Sequence, residues 1–276
     1  MFSLNLIIKL IKFIIINMER MTVIYIVAVI TVIGLGLGLG LGLGLNKEDD
    51  DNKTKTKLLK NFSDEELDAH KRGQQVMTDM FREFDTICRD NDLKYWCVGG
   101  TLIGAIRHKG WISHDADIDV GMLKSDYDKL KLIIQDKLSE DYWFQNIDSD
   151  KYYKEEKIAK IRSLHAYYYD AGNKNHHHGL QLDIFVYTPK NNILTPSMCI
   201  NDSKPYKNDI ILPLQETYFE DIKVYVPNQL EKYSKDAWGD YPPKELPVEK
   251  QYPHEGRISF TIPQWMKDKY PKLYKN

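Results

Sequence analysis

The chain has 276 residues, 28% of them charged and 42% hydrophobic, and 38 basic against 40 acidic residues give a formal net charge of −2. This is ordinary globular composition, and without a long basic run nucleic acid is not expected as a partner. The three cysteines, Cys88, Cys97 and Cys199, lack metal-ligand spacing. Neither a zinc site nor a disulfide framework is therefore predicted.

An apolar segment precedes the globular part. Met21–Leu45 contains no charged residue and ends in alternating glycine and leucine. As a helix it would span about 37 Å, enough for a hydrocarbon core of about 30 Å. The sequence predicts a transmembrane anchor here, after a short cytoplasmic segment at 1–20 and before a polar stalk at 46–61. A cleaved signal peptide, or a shorter span at 21–33 followed by a Gly-Leu spacer, stays open.

The charges around this segment predict its orientation. Basic residues precede it, at Lys9, Lys12 and Arg20, whereas residues 48–51 after it are all acidic. The positive-inside rule then leaves the N-terminus in the cytoplasm and the globular domain in the lumen of the secretory pathway or outside the cell. Three glycosylation sequons, at Asn52, Asn61 and Asn201, agree with that side and predict a glycoprotein.

A long helix is predicted to open the globular domain, which spans residues 62–276. Ser63 and Glu66 form a capping box at its start, and residues 90–92 end it. Its core face has helical spacing and comprises Met77, Met80, Phe81, Phe84, Ile87 and Cys88.

Strands and helices then follow one another along the chain. Strands are predicted at 95–98, 117–122 and 180–187, a short helix at 101–107, and a hairpin at 218–226 that turns at Glu220-Asp221. Two further helices are predicted to be capped by Ser125 and by Asn228 with Glu231, and a proline-rich tail starts at Tyr241. This order predicts an α/β or α+β fold with a mixed sheet flanked by helices.

Two glycines followed by a pair of aspartates indicate a site that binds phosphate groups. The strand that ends at Gly99-Gly100 allows a backbone to approach phosphate oxygens, and a helix starting there aims its N–H groups at the anion. Asp117 and Asp119 lie on one face of the next strand, because side chains alternate along a strand. Two carboxylates in a cleft bind Mg²⁺ or Mn²⁺, and Asp183, in a later apolar strand, is the third candidate ligand.

A longer motif surrounds these residues. Residues 99–112 read Gly-Gly-Thr-Leu-Ile-Gly-Ala-Ile-Arg-His-Lys-Gly-Trp-Ile and lead into Asp-Ala-Asp-Ile-Asp-Val-Gly-Met at 115–122. This block resembles the LicD family of phosphocholine transferases, together with fukutin and fukutin-related protein. The similarity extends more weakly through residues 160–162, 183–185, 212–214 and 238–243.

The resemblance implies a nucleotidyltransferase fold and an enzyme that transfers a phospho-alcohol, such as phosphocholine or ribitol phosphate. The donor would be a CDP-alcohol, and the acceptor a hydroxyl of a glycan or glycoprotein. By position, Asp117 and Asp119 match the metal-binding pair and Asp183 the later aspartate. Substrate-binding residues would be Gly99, Gly100, Thr101, Arg107 and the leading acid Asp115. His114, Ser113 and Ala116 depart from the residues usual in the family.

Several alternatives stay open for the acidic motif. An EF-hand would need glycine where Val120 stands, and a nucleotide-sugar glycosyltransferase usually has a longer nucleotide-binding half. The aspartates could also simply cap turns. At the level of function, the alternatives are nucleotidyl transfer to a small molecule or protein, and an inactive glycan-binding scaffold.

Two aromatic runs have no assigned chemistry. His176-His177-His178 is predicted to lie in a solvated loop rather than to bind metal, although a role in holding donor or acceptor stays open. The run Tyr167-Tyr168-Tyr169 is predicted to pack within a strand.

Overall fold

The structure is a computed structural model that describes residues 62–274, apart from 156–157, 172–175, 199–203, 248–249 and 252. The predicted anchor, stalk and sequons, and also Cys199, lie outside the described residues. Among the described residues, no helix combines the length and the apolar character needed to cross a membrane. The described residues all belong to one compact unit, residues 58–276.

The first helix, α1, runs over Asp64–Asp90 and begins as its capping box predicts. Ser63 Oγ accepts a hydrogen bond from the Glu66 N–H at 3.2 Å, and Glu66 Oε2 accepts one from the Ser63 N–H at 2.8 Å. All six residues of the predicted core face are buried. The helix ends at Asp90 with Asn91 as its C-cap, and Asp92 then adopts a φ of 54°.

Five further helices and ten strands follow α1 in the described residues. The other helices are α2 Gly99–Arg107, α3 Lys124–Lys137, α4 Asn208–Ile211, α5 Leu230–Trp238 and α6 Gln264–Lys269. The strands are β1 Tyr95–Cys97, β2 Ile118–Leu123, β3 Tyr142–Gln145, β4 Ile158–Tyr168, β5 Gly179–Lys190, β6 Ile193–Pro196, β7 Tyr206–Lys207, β8 Gln215–Phe219, β9 Ile222–Val226 and β10 Ile258–Ser259.

Within residues 62–274, as far as they are described, eight strands form one mixed sheet, which confirms the predicted α/β or α+β fold with a mixed sheet. Its central order is β1-β2-β5-β4-β10, with β3 also paired to β4 and with β6 joining β5 to β7. Strands β2 and β5 run parallel, and the other pairs are antiparallel. The β8-β9 hairpin forms a separate sheet and turns at Glu220, as predicted. Helix α1 packs against β4, β5 and β10.

Two predicted helix caps are wrong. Strand β2 leads directly into α3, so Ser125 lies inside the first turn and Leu123 holds the capping position. Asn228 lies one residue before the cap of α5, and its side-chain amide donates instead to Asp209 O at 3.1 Å and Leu212 O at 3.3 Å. In both cases, tertiary connections rather than local capping determine where the helix begins.

The chain beyond Tyr241 contributes to the core, which the prediction of a proline-rich tail missed. Strand β10 pairs with Tyr167 and Tyr168 of β4, and α6 follows it. The histidine run is consequently not a solvated loop: His177 is fully buried and His178 is 7% exposed. His177 Nε2 lies 2.7 Å from the Tyr274 hydroxyl, so the C-terminal residues cover this segment. Of the tyrosine run predicted to pack within a strand, Tyr168 is buried in the sheet, whereas Tyr167 is half-buried and Tyr169 lies beyond β4 and is exposed.

Candidate active site at the parallel strand pair

The only parallel strand pair among the described residues brings the three predicted metal ligands together. Asp119 of β2 and Asp183 of β5 are direct register partners, and Asp117 immediately precedes β2. Because strand side chains alternate, Asp117 and Asp119 share a face. Carboxylate oxygens of the three aspartates all lie within 4.8 Å of one another. We call these three residues the acid trio.

The glycine turn lies directly against these acids. Gly99 has a φ of 57°, and a Cβ atom there would lie 2.5 Å from Asp119 Oδ2. A Cβ atom on Gly100 would lie 2.1 Å from Asp115 Oδ2. Any side chain at either position would therefore collide with a carboxylate. The glycines are needed at least as much for this close approach as for the phosphate contact that the sequence predicts.

Thr101 connects the glycine turn, Gly99-Gly100, to β2 by a hydrogen bond. Its side chain is 1% exposed, and its hydroxyl accepts a hydrogen bond from the Asp119 N–H at 2.8 Å. The Val98 N–H donates to Asp119 O at 3.1 Å. Asp119 is thus held through its backbone on both sides, which leaves its position fixed relative to the start of α2.

Burial favours the protonated forms of Asp115 and Asp117. The pKa of Asp117 is raised to about 6, first by burial and second by the neighbouring Asp183, while Lys160 opposes the shift. Burial likewise raises the pKa of Asp115 well above its ordinary value, and the negative charge of Asp117 is the second cause of this rise. Close carboxylates in a poorly solvated place favour the binding of a compensating cation.

Lys160 supplies a positive charge that the sequence analysis did not assign. It is the register partner of Asp183 on β4, and its ammonium group forms a salt bridge with Asp183 Oδ2. Both side chains are largely buried, at 13% and 8% exposed. A buried carboxylate is thereby partly neutralised by a neighbouring strand.

A second basic residue orients the acids through an amide. Arg162 donates to Gln181 Oε1 at 2.6 Å, to Gly179 O at 2.9 Å and to Gln145 Oε1 at 2.7 Å. With its oxygen held by Arg162, Gln181 turns its Nε2 toward the acid trio, 3.3 Å from Asp117 Oδ2 and 3.5 Å from Asp183 Oδ2. Arg162 therefore fixes the direction in which the Gln181 amide donates.

The acid trio fits a divalent cation. Asp183 Oδ1 is buried and has no hydrogen-bond partner among the residues that the structure describes. A buried carboxylate oxygen normally has a partner, and its place beside two further carboxylates is suited to an ion with hard oxygen ligands. The donor set therefore fits Mg²⁺ or Mn²⁺.

The structure does not bring Arg107 into contact with the acid trio. Its guanidinium donates to Pro243 O at 3.1 Å and to His108 Nε2 at 2.8 Å, and it lies 3.9 Å from Glu245 Oε1. Arg107 thus joins α2 to the segment at 243–245. Its predicted role toward a substrate phosphate stays a prediction.

Sequence reasoning gave no site role to four polar residues beside the acids, namely Lys160, Arg162, Gln181 and Glu255. Two of them carried a signal, because the charged residues at 160 and 162 alternate with the buried apolar residues Ala159 and Ile161 of β4. Burial raises the pKa of Glu255 well above its ordinary value, and Asp117 and Asp115 raise it further, which places this carboxyl near the site. The sequence around Glu255 contains no pattern that indicates this location.

Comparison with known proteins agrees with this arrangement. The family model described as LicD/FKTN/FKRP, nucleotidyltransferase domain, matches residues 92–229. This range is half of the chain and contains the glycine turn, the acid trio, Lys160, Arg162 and Gln181.

Individual relatives span both named and uncharacterized proteins. Lipopolysaccharide cholinephosphotransferase LicD of Haemophilus influenzae is 30% identical over 156 residues, which cover 52% of this chain and 49% of the relative. An uncharacterized protein of Rickettsia prowazekii is 25% identical over 217 residues, covering 77% and 64%. One of Rickettsia typhi is 38% identical over 67 residues, covering 23% and 22%. The chain thus spans less than two thirds of each of these relatives. From the family match, the chain belongs to the LicD/FKTN/FKRP nucleotidyltransferase-domain family.

Proposed function

We propose that this protein transfers a phospho-alcohol, such as phosphocholine or ribitol phosphate, from a CDP-linked donor to a hydroxyl of a glycan. The observation that carries the proposal is the acid trio on a parallel strand pair, beside a glycine turn. Family membership and similarity to a lipopolysaccharide cholinephosphotransferase support the same class of reaction.

The acid trio would hold Mg²⁺ or Mn²⁺. Asp117, Asp119 and Asp183 offer carboxylate oxygens, and one oxygen of Asp183 is buried without a partner among the described residues. When bound, such an ion would neutralise the negative charge of the donor's diphosphate.

The remaining groups of the chain would position the reactants. In the proposed reaction, the acceptor oxygen forms a bond to the phosphorus that carries the alcohol, and the bond from that phosphorus to the bridging oxygen breaks, so CMP leaves. Helix α2 begins at Gly99 and Gly100, so its first backbone N–H groups would face the diphosphate, and Lys160 would add a fixed positive charge. Positioning of this kind is a large part of catalysis in phosphoryl transfer.

The proton of the acceptor hydroxyl needs a base. Asp183 has two candidate roles, as a ligand of the ion or as the proton acceptor. Its Oδ2 is engaged by Lys160 and its Oδ1 is not engaged by the described residues, so one oxygen is available for either role.

The experiment is a donor panel with the purified full chain and Mn²⁺. CDP-choline, CDP-ribitol, UDP-sugars and nucleoside triphosphates are each incubated with oligosaccharide released from bacterial lipopolysaccharide, and released nucleotides are separated by chromatography. We expect CMP from a CDP-alcohol, and about a hundredfold loss in Asp117→Asn and Asp119→Asn variants that still fold. Pyrophosphate released from a triphosphate would instead favour nucleotidyl transfer. Glycan binding without turnover of any donor would favour an inactive scaffold.

A further inference from the structure

A cavity of about 230 Å³ opens beside the acid trio. Six of its lining residues are Arg162, Tyr168, His176, His178, Gln181 and Glu255. Gln181 separates it from the acids, since the amide of this residue lies 3.3 Å from Asp117 Oδ2. A molecule in the cavity would therefore lie next to the place where a donor phosphate is expected.

Glu255 is the acidic residue of this wall, and it comes from the C-terminal segment. It lies beyond the range matched by the family model. Its Oε2 is buried and has no hydrogen-bond partner within the described part of the chain. A buried carboxyl oxygen without a partner costs free energy, so a hydrogen-bond donor in the cavity would be favourable there.

The backbone after Glu255 is built to hold it in this position. Gly256 has a φ of 122°, and a Cβ atom there would lie 2.5 Å from Asp170 Oδ1. The same Asp170 oxygen accepts a hydrogen bond from the Arg257 N–H at 2.6 Å. The next residue, Ile258, begins β10 and pairs with Tyr168. The positive φ of Gly256 and the pairing of β10 with β4 thus direct Glu255 toward the cavity.

The walls of the cavity indicate a neutral, hydroxyl-bearing ligand. Arg162 forms one wall and disfavours a cation, and the Glu255 carboxyl adds no positive charge that would bind an anion. Burial lowers the pKa of His176 to about 4, so this imidazole is uncharged at neutral pH. Amide, imidazole and carboxyl groups can bond hydroxyls, and the ring of Tyr168 offers an apolar surface. This combination suits a sugar ring.

We propose that Glu255 accepts a hydrogen bond from a sugar hydroxyl of the glycan acceptor in this cavity, and so positions the acceptor beside the acid trio. This inference rests on the proposed function, because it takes the acceptor to be a glycan. It makes the C-terminal segment, rather than the family-matched region alone, responsible for acceptor binding.

The test is equilibrium binding of oligosaccharide released from bacterial lipopolysaccharide to the full chain in Mn²⁺, measured by calorimetry without any donor. We expect Glu255→Ala to raise the Kd about tenfold or more, since a buried hydrogen bond to a carboxyl is lost. Glu255→Gln, which keeps one acceptor oxygen and the shape, should raise it less. Glu245→Gln, at an exposed glutamate that faces Arg107, is the matched control and should leave the Kd unchanged.

Thermal melts with and without Mn²⁺ separate this role from metal binding. Both Glu255 variants should keep the stabilisation that Mn²⁺ gives the wild type, because Glu255 is not one of the three ligands. An unchanged Kd in both variants, loss of the Mn²⁺ response, or no oligosaccharide binding by the wild type would each overturn the inference. If Glu255→Ala does not fold, the Gln variant decides. Glycan binding that depends on Glu255 without CMP release from any donor would support the inference and refute the proposed function.

Discussion

The two carboxylate oxygens of Asp183 have different surroundings. Its Oδ2 is bound by the Lys160 ammonium, and its Oδ1 is buried without a partner among the described residues. A buried charge is tolerated when it is paired, and here the pairing is complete for one oxygen only. The side chain is therefore stabilised in the fold and still able to bind a further positive or proton-donating group.

Substitution of Asp183 tests whether it is a metal ligand. In Asp183→Asn, relief of its repulsion with Asp117 is offset by the loss of the partner of Lys160, so we expect little change in stability without metal. If Asp183 is a ligand, the Mn²⁺-induced rise in Tm should disappear and CMP release should fall together. Melts with and without Mn²⁺ check this.

A base-only role would give a different pattern. Asp183→Asn would then keep its Mn²⁺ response while CMP release falls by about 10²–10⁴-fold. An active variant with a normal Mn²⁺ response would remove Asp183 from the site altogether.

Lys160 should stabilise the fold when no metal is bound. Lys160→Met removes one partner of a buried ion pair and leaves Asp183 uncompensated, which should cost about 3 kcal/mol in the free energy of unfolding. Mn²⁺ should restore more stability to this variant than to the wild type. Urea unfolding with and without Mn²⁺ measures both effects.

The matched control for Lys160 is an exposed lysine in an ion pair. Lys232 forms a surface pair with Asp236, so Lys232→Met should change the free energy of unfolding by about 0.5 kcal/mol or less. Equal losses in the two lysine variants would contradict a special role for Lys160.

His114 gives stability a defined pH dependence. Burial lowers its pKa to about 4, with smaller contributions from His254 and Arg107, against 6.5 for an ordinary histidine. Between these values the unfolded chain binds more protons, so this histidine's contribution to stability is complete above pH 6.5 and is lost as the pH falls toward 4. His114→Asn should therefore show a shallower loss of unfolding free energy across this window. Denaturant unfolding at a series of pH values checks this, and parallel curves would contradict it.

At the scale of elements, the sequence predicted those parts of the fold that carry a local signal. The capping box joins Ser63 to Glu66, and the hairpin pairs Phe219 with Ile222, so both interactions lie within three positions of the sequence. The acid trio was also predictable, since a period of two places Asp117 and Asp119 on one face and Asp183 is an isolated charge in an apolar strand.

The two serines predicted as caps allow a direct comparison. Ser63→Ala removes a real cap from α1 and should lower the free energy of unfolding by about 1 kcal/mol. Ser125→Ala should change it by only a few tenths, because Ser125 is exposed and lies within the first turn of α3. Urea denaturation of both variants provides the measurement, and equal effects would contradict the assignment.

The elements that could not be predicted depend on contacts between distant parts of the chain. Strand β10 has two residues, too few for any periodic pattern, and exists because β4 offers it a partner. His177 is buried because residue 274 returns to cover it. Glu255 lies near Asp117 although 138 residues separate them in the sequence. The residues next to them in the sequence therefore do not indicate whether they are buried or exposed.

At the scale of the whole molecule, the apolar run at 21–45 stays a prediction, since it lies outside the described residues. If it anchors the chain, the full-length protein should sediment with membranes after salt washing, and a chain that starts at residue 46 should not. In sealed vesicles, the globular domain should resist protease until detergent is added. Digestion without detergent would contradict the orientation, and a full-length protein in the supernatant would contradict the anchor.

Strand β10 also has a consequence for the behaviour of shortened chains. It covers β4 at Tyr167 and Tyr168, where β3, which pairs with residues 160–163, does not reach. A chain cut at residue 229, where the family match ends, would leave the backbone N–H and C=O groups of that stretch unpaired at a sheet edge. Such an edge is a template for pairing with a second copy. We therefore expect removal of residues 230–276 to favour aggregation, because β10 would no longer cover this part of β4.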